Sequence, residues 1–246
     1  MPRFFMEDMP NDINCGDTLT LTGGDAAHIT RVLRMKAGEN VTVCDCRGFD
    51  YNCEILDARA EAVSLRVNER QPTATEPNVR ITLFQGLPKG DKMELIVQKS
   101  VELGVVRIVP VITARSVSKP DEKSMAKKIE RWNRIAAEAA GQSERGILPP
   151  VLPAMNFEEA AAMLSQADTS IMLYERNGGT LGEHLTGKKP DDIGIMIGPE
   201  GGFDETEVEY ARSRGISTAG MGPRILRTET APICALSVIM YATGNI

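Results

Sequence analysis

The sequence predicts an α/β protein in two parts, a small all-β domain followed by a larger domain on a mostly parallel sheet. Three observations carry this. Short apolar–polar runs separated by turns fill the chain before Asn68. A polar stretch with two prolines, "NERQPTATEPNVR" (residues 68–80), then interrupts the pattern. Beyond it, strands and helices alternate to the end, the signature of a parallel sheet covered on both faces.

In the first part, "DTLTL", "NVTVCD", "YNCEIL" and "AVSLRV" read as strands, with "KAGEN" and "CRGFD" as turns. Short strands at regular spacing suggest a small barrel or sandwich. One short helix is expected over residues 25–34, in "DAAHITRVLRM". The proline-containing stretch reads as a linker, and the division is set at 1–72 and 73–246.

The second part opens with the strand "VRITLFQ". "GDKMELIVQKSVELG" reads as a helix with Asp91 capping, Glu94 at the reciprocal position and Gly104 at the end. "VRIVPVIT" is the next strand. In "SMAKKIERWNRIAAEAAGQ", Met125, Ile129, Trp132, Ile135 and Ala139 recur at helical spacing, with Lys127, Arg131 and Arg134 on the opposite side. Asn156 and Glu159 open another helix, and "SIMLYE", "IGIMIG" and "STAGMG" are three further strands. "TETAPICALSVIMYATG" is apolar nearly all round, which predicts a buried helix, with Thr228 or Thr230 as its cap.

Composition narrows the class. The 246 residues carry an ordinary apolar fraction, and no run approaches the ~20 apolar residues of a membrane span. Acids in "MPRFFMEDMP" stand where a signal peptide needs an apolar core. The expectation is a cytoplasmic protein that meets no membrane. Five cysteines form no disulfide-like framework, and with two histidines and no repeated metal spacing no metal site is expected. The net charge is −6, yet residues 80–145 carry thirteen Lys/Arg against eight Asp/Glu. The middle of the chain could therefore offer a basic face on an acidic protein.

The loop "IGPEGGF" joins an apolar strand to an acidic helix. Asp204 and Glu207 have capping-box spacing, and Phe203 and Val208 occupy the staple positions. These acids answer the helix dipole from within, and Glu200 adds another charge. The site is poorly suited to a polyphosphate. It better suits a cationic ligand or one read through backbone groups. Two other strand ends, "LYERN" and "MGPRILRTETA", fall in the same part of the chain. Ligands in such sheets bind at the C-terminal ends of strands, so the three loops together predict one pocket.

The stretches "HITRVLRMKAGE", "KGDKMELIVQKSVELGV", "RWNRIAAEAAGQSERGILP", "IGPEGGF" and "GPRILRTETA" occur in this order along both parts. Through them the sequence resembles the SPOUT-class RNA methyltransferases, and within these the RsmE-type 16S ribosomal RNA uridine-N3-methyltransferases. The resemblance implies a PUA-like β-barrel RNA-binding domain at 1–72. It implies a SPOUT α/β domain at 73–246, with a deep C-terminal trefoil knot. It further implies a homodimer that binds S-adenosylmethionine and methylates N3 of a uridine in the decoding region of the small ribosomal subunit. A sulfonium cation without phosphate agrees with the acidic, glycine-rich loop.

Carried over by motif, Leu173, Tyr174 and Glu175 form the first cofactor loop. Ile197, Gly198, Pro199, Glu200, Gly201 and Gly202 form the central one, and Met221, Gly222, Ile225 and Leu226 the adenine side. Arg227 and Glu229 are the catalytic candidates. Arg227 would stabilise charge or position a base, and Glu229 would accept the imide proton or pair with Arg227. Glu200 is a further candidate base, though its place favours shaping the pocket. Arg3, His28, Arg31, Arg34, Lys89, Arg131, Arg134 and Arg145 are the candidate RNA contacts. Three rivals stand beside this reading: a nicotinamide-dependent oxidoreductase, which would need the missing G-x-G-x-x-G turn, a non-catalytic RNA-binding relative, and a SPOUT enzyme acting on transfer RNA.

Overall fold

The computed structural model describes residues 1–117, 120–174, 179–185, 187 and 190–246. They form two compact units, Met1–Glu76 with Gly141–Leu148, and Pro77–Ala140 with Pro149–Ile246.

The first unit contains β1 (Arg3–Phe5), β2 (Thr18–Thr22), α1 (Gly23–Ala27), β3 (Asn40–Cys44), β4 (Phe49–Ala58) and β5 (Ala62–Pro72). They make a five-stranded sheet in the order β1-β3-β4-β5-β2, antiparallel except for β1 beside β3. In β2 the threonines face out while Leu19 and Leu21 face in, the alternation of a half-buried strand. Two register shifts between β4 and β5 curl the sheet around a core that includes Val43, Tyr51, Ile55, Val63 and Leu65. Ala26 and Ile29 join that core from the helical segment, where α1 runs into a π-helical turn over His28–Val32. The expected single helix is thus broken in character, and it stops before Arg34, whose φ is +55°. The expected linker also starts late. β5 runs on to Pro72 opposite Phe49, because a proline at a strand's last pair forfeits no interior ladder bond.

The second unit contains, in order, β6 (Arg80–Gly86), α2 (Lys92–Glu102), β7 (Arg107–Ile112), α3 (Glu122–Gln142, its last two residues counted with the first unit), β8 (Met155–Asn156) and α4 (Phe157–Leu164). It continues with β9 (Thr169–Leu173), β10 (Gly179–Thr180), α5 (Leu181–Leu185), β11 (Asp192–Ile197), α6 (Glu205–Ser213), β12 (Ser217–Gly220) and α7 (Thr230–Ala242). The seven strands are all parallel, in the order β10-β12-β9-β11-β6-β7-β8. β6 and β11 are central and read as continuous apolar runs because both faces are covered. β8, β10 and α5 are too short to leave a periodic signal.

The helix starts divide into two kinds. Asn156 on α4 and Asp204 on α6 form complete capping boxes with Glu159 and Glu207, as their spacing predicts. Asp91 does not cap α2 with its side chain. Its carbonyl takes the Glu94 N–H at 3.0 Å, and the Glu94 carboxylate instead meets Arg131 of α3 at 2.8 Å. Neither threonine caps α7, which starts after Glu229. α7 itself is buried along one side only, through Ala231, Ala235, Leu236, Ile239 and Met240. Its other side leaves Ile233, Cys234 and Val238 half-buried and Tyr241 76% exposed. No helix among the described residues is long and apolar enough to cross a membrane.

Candidate cofactor and active site

Parallel strands bring their C-terminal ends to one edge, and there the loops after β9, β11 and β12 line a cavity of about 520 Å³. Its walls include Leu173, Tyr174, Ile197, Gly198, Pro199, Glu200, Gly201, Gly202, Met221, Gly222, Ile225, Leu226 and Arg227. These are residues the sequence assigned to three separate loops. Glu175 lies outside the described residues. Lys92, Phe203, Arg224 and Thr228 also line the cavity, without having been assigned to the pocket from the sequence.

The central loop is shaped by close backbone packing. Gly202 has φ +64°, a conformation that favours glycine, and its N–H closes the turn on the Pro199 carbonyl at 2.9 Å. A β-carbon on Gly86, at the end of β6, would lie 2.5 Å from Pro199 Cδ and 2.7 Å from its nitrogen. Beneath the loop, the fully buried Gln85 donates to the Gly86 carbonyl (3.1 Å), the Gly198 carbonyl (3.4 Å) and Thr228 Oγ1 (3.2 Å). Thr228 donates to the Gly198 carbonyl at 2.9 Å. Thr228 therefore ties the third loop to the second, which is why it is not free to cap α7.

The α6 end of the loop is closed by side chains. Arg115 donates to the Gly201 carbonyl at 3.0 Å and meets Asp204 at 3.3 Å. The N–H and hydroxyl of Thr206, aided by Arg115, hold the Asp204 carboxyl below the usual aspartate range. Glu207, 7% exposed, accepts from the N–H groups of Asp204 (2.9 Å) and Ala114 (2.8 Å). The helix start is thus filled by its own carboxylates, which leaves it unfit for a phosphate.

The mouth of the cavity departs from the expected pairing. Glu229 does not pair with Arg227. Lys92, in the first turn of α2, puts its Nζ 2.8 Å from Glu200 and 3.4 Å from Glu229. The Lys89 N–H adds contacts of 3.2 and 3.3 Å to the Glu200 carboxylate. Burial alone would raise the Glu200 carboxyl, but Lys92 and the backbone N–H groups outweigh it and hold it below its ordinary value. Glu229 Oε2 is buried without a hydrogen-bond partner, and its contact with Lys92 is an ion pair. Arg227 is exposed, with no side-chain partner among the described residues. Lys92 was read only as part of a helix start, and its reach to two later loops has no local signature.

The candidate RNA contacts also separate. His28, Arg31 and Arg34 are exposed on the first unit, with the His28 ring edge-on to Phe4 at 6.1 Å. Lys89, Arg131 and Arg134 are exposed on the second. Arg3 and Arg145 are corrections. Arg3 makes two hydrogen bonds to Asp50, at 2.6 and 3.0 Å, with its side chain 10% exposed. Arg145, 2% exposed, makes two to Glu76 at 2.8 Å. Both are committed to internal ion pairs of the first unit, with Arg145 buried and Arg3 little exposed.

Residues 75–240 match the family described as the RNA methyltransferase domain, and residues 21–68 match the RNA methyltransferase PUA domain. The chain is 39% identical to ribosomal RNA small subunit methyltransferase E of Bacillus subtilis, over 99% of this chain and 97% of that protein. It is 35% identical to the protein of the same name from Synechocystis, over 90% and 72%. A crystal structure of a ribosomal RNA small subunit methyltransferase E from Neisseria gonorrhoeae bound to S-adenosyl methionine superimposes with a TM-score of 0.86 at 33% identity, covering 98% of this chain and 97% of that one. This chain belongs to the RNA methyltransferase domain family, among the ribosomal RNA small subunit methyltransferase E proteins.

Proposed function

We propose that this protein is an S-adenosylmethionine-dependent methyltransferase that modifies N3 of a uridine in the decoding region of 16S ribosomal RNA. The single observation that carries the reading is the three-loop cavity, in a chain with 39% identity to the Bacillus subtilis enzyme over nearly its whole length. The cofactor seen in the Neisseria relative fits the residues present here. The volume of about 520 Å³ lies within the roughly 300–1,000 Å³ of small-molecule sites. The walls offer glycine backbone, and the α6 start excludes phosphate.

Leu173, Tyr174 and Glu175, Ile197 to Gly202, and Met221, Gly222, Ile225 and Leu226 would hold the cofactor. When bound, S-adenosylmethionine supplies a methyl group on a positive sulfur that leaves as a neutral thioether. The residues at the mouth prepare the acceptor. The N3–H bond must break, and Glu229 would receive the proton. Negative charge then develops across N3 and its two flanking carbonyl oxygens, where the guanidinium of Arg227 would stabilise it. Glu200 is the weaker base, because Lys92 and two hydrogen bonds from the Lys89 N–H already occupy its carboxylate.

The rest of the reading has its own support. The exposed side chains of His28, Arg31 and Arg34 on one unit, and of Lys89, Arg131 and Arg134 on the other, are the proposed RNA contacts. A homodimer in the cytoplasm is part of the proposal, and the uncovered apolar side of α7 is the surface a second copy would bury. The deep C-terminal trefoil knot that the family resemblance implies is also part of the proposal.

The test is transfer of labelled methyl from S-adenosylmethionine to small subunits lacking the modification, to free 16S RNA and to transfer RNA, with the product nucleoside identified by mass spectrometry. N3-methyluridine from the small subunit or its RNA is the expected result. Label in transfer RNA alone overturns the substrate, and cofactor binding without transfer to any acceptor overturns the enzyme.

A further inference from the structure

Lys92 sits where two functions meet. Its ammonium bridges a carboxylate of the cofactor loop, Glu200 at 2.8 Å, and a carboxylate of the loop before α7, Glu229 at 3.4 Å. Lys92 itself lines the cavity mouth. The charged groups around Glu200 are Lys92 and Glu229, with the Lys89 N–H on its oxygens and Arg224 and Arg227 on the cavity wall. Arg115 holds the other end of the same loop at Gly201 and Asp204. The remaining charges of α2 are engaged elsewhere, Glu94 with Arg131 and Lys99 with Glu102. Among the described residues, therefore, Lys92 is the cation in contact with both carboxylates.

The consequence is mechanical and electrostatic. Two carboxylates converging at a cavity mouth repel each other, and each would turn toward water if no cation stood between them. Lys92 holds Glu200 at the cofactor loop and keeps Glu229 beside it, through the buried Glu229 Oε2 that faces the ammonium. We propose that Lys92 is a positioning residue that locks the proton-accepting Glu229 to the cofactor loop, so that cofactor and base are held in register. This inference rests on the methyltransferase reading above. Register between groups on different loops governs the transfer step more than cofactor affinity, because Glu229 is not part of the cofactor loop.

The test compares Lys92→Met and Lys92→Arg in the full-length protein. Single-turnover transfer at saturating cofactor should fall about tenfold or more in Lys92→Met, while cofactor affinity changes less than about threefold. Lys92→Arg, which keeps the cation, should recover most of the rate. Adding Glu229→Gln to Lys92→Met should cost much less than Glu229→Gln alone in the wild type, the mark of two residues acting as one unit. A measurement free of activity accompanies these. The Glu200 carboxyl, followed by carbon NMR, should titrate at higher pH in Lys92→Met than in the wild type and return in Lys92→Arg. Wild-type rate in Lys92→Met, additive losses in the double variant, or an unmoved Glu200 titration each overturns the inference. Absence of methyl transfer by the wild-type protein itself would instead overturn the functional reading.

Discussion

Glu229 and Glu200 show how two carboxylates a few ångströms apart take different roles. Glu200 is saturated, with the Lys92 ammonium and the Lys89 N–H on its oxygens. Glu229 keeps a buried oxygen without a hydrogen bond. Glu229→Gln is therefore expected to slow methyl transfer by about 10²-fold, the usual weight of a general base. Glu200→Gln should act mainly on cofactor affinity. Full activity in Glu229→Gln would remove it as the proton acceptor. Arg145 makes the opposite point. Its paired, 2% exposed side chain belongs to stability, and Glu76→Ala, which removes the carboxylate it is paired with, should cost about 3 kcal/mol in urea unfolding. An unchanged midpoint and slope would show that the pair is dispensable.

Helix starts illustrate which local signals translate into structure. Asn156 and Asp204 have extended backbone and a glutamate three residues on that turns back to their own N–H groups, so both halves of the box close. Asn156→Ala should cost about 1 kcal/mol, read as a lower melting temperature. Asp204 carries a pH signature as well. Its folded carboxyl is held below the ordinary value, so its contribution is present above the unfolded aspartate range of about 3.9 and is lost as pH falls through the lower folded value. The melting-temperature gap between wild type and Asp204→Ala should thus be open at pH 7 and narrow as pH falls below the unfolded aspartate range. A gap that stayed constant would mean that the charge is immaterial. At Asp91 and Thr230 the same residue types fail to cap, because Glu94 is drawn to Arg131 and the α7 start is set by the Thr228–Gly198 bond.

For the assembled protein, α7 is the element whose composition exceeds what one chain can bury. Ile233, Val238 and Tyr241 lie on its uncovered side. A stripe of this kind marks an interaction surface. Val238→Asp combined with Tyr241→Glu should convert the proposed dimer to monomer in light scattering, with the helix retained by circular dichroism. A wild-type monomer at micromolar concentration would overturn the proposed dimer. The acidic whole and the exposed cations also predict that RNA affinity falls steeply with added salt.

Read residue by residue, the chain revealed its two-part order, the parallel sheet, both capping boxes and the three loops, because each is written in neighbours within a few positions. Periodicity exposed the strands, and "IGPEGG" and "GPRILRTETA" exposed the walls of the cavity. What it could not reveal were partners distant in sequence. Arg3 with Asp50, Arg145 with Glu76, Gln85 with Thr228, and Lys92 between Glu200 and Glu229 all join residues from 47 to 143 positions apart. An arginine or lysine carries the same charge whether it faces RNA or a buried carboxylate. Which of the two it meets is set by how the strands stack, since burial without a partner is too costly for a charge to stand alone.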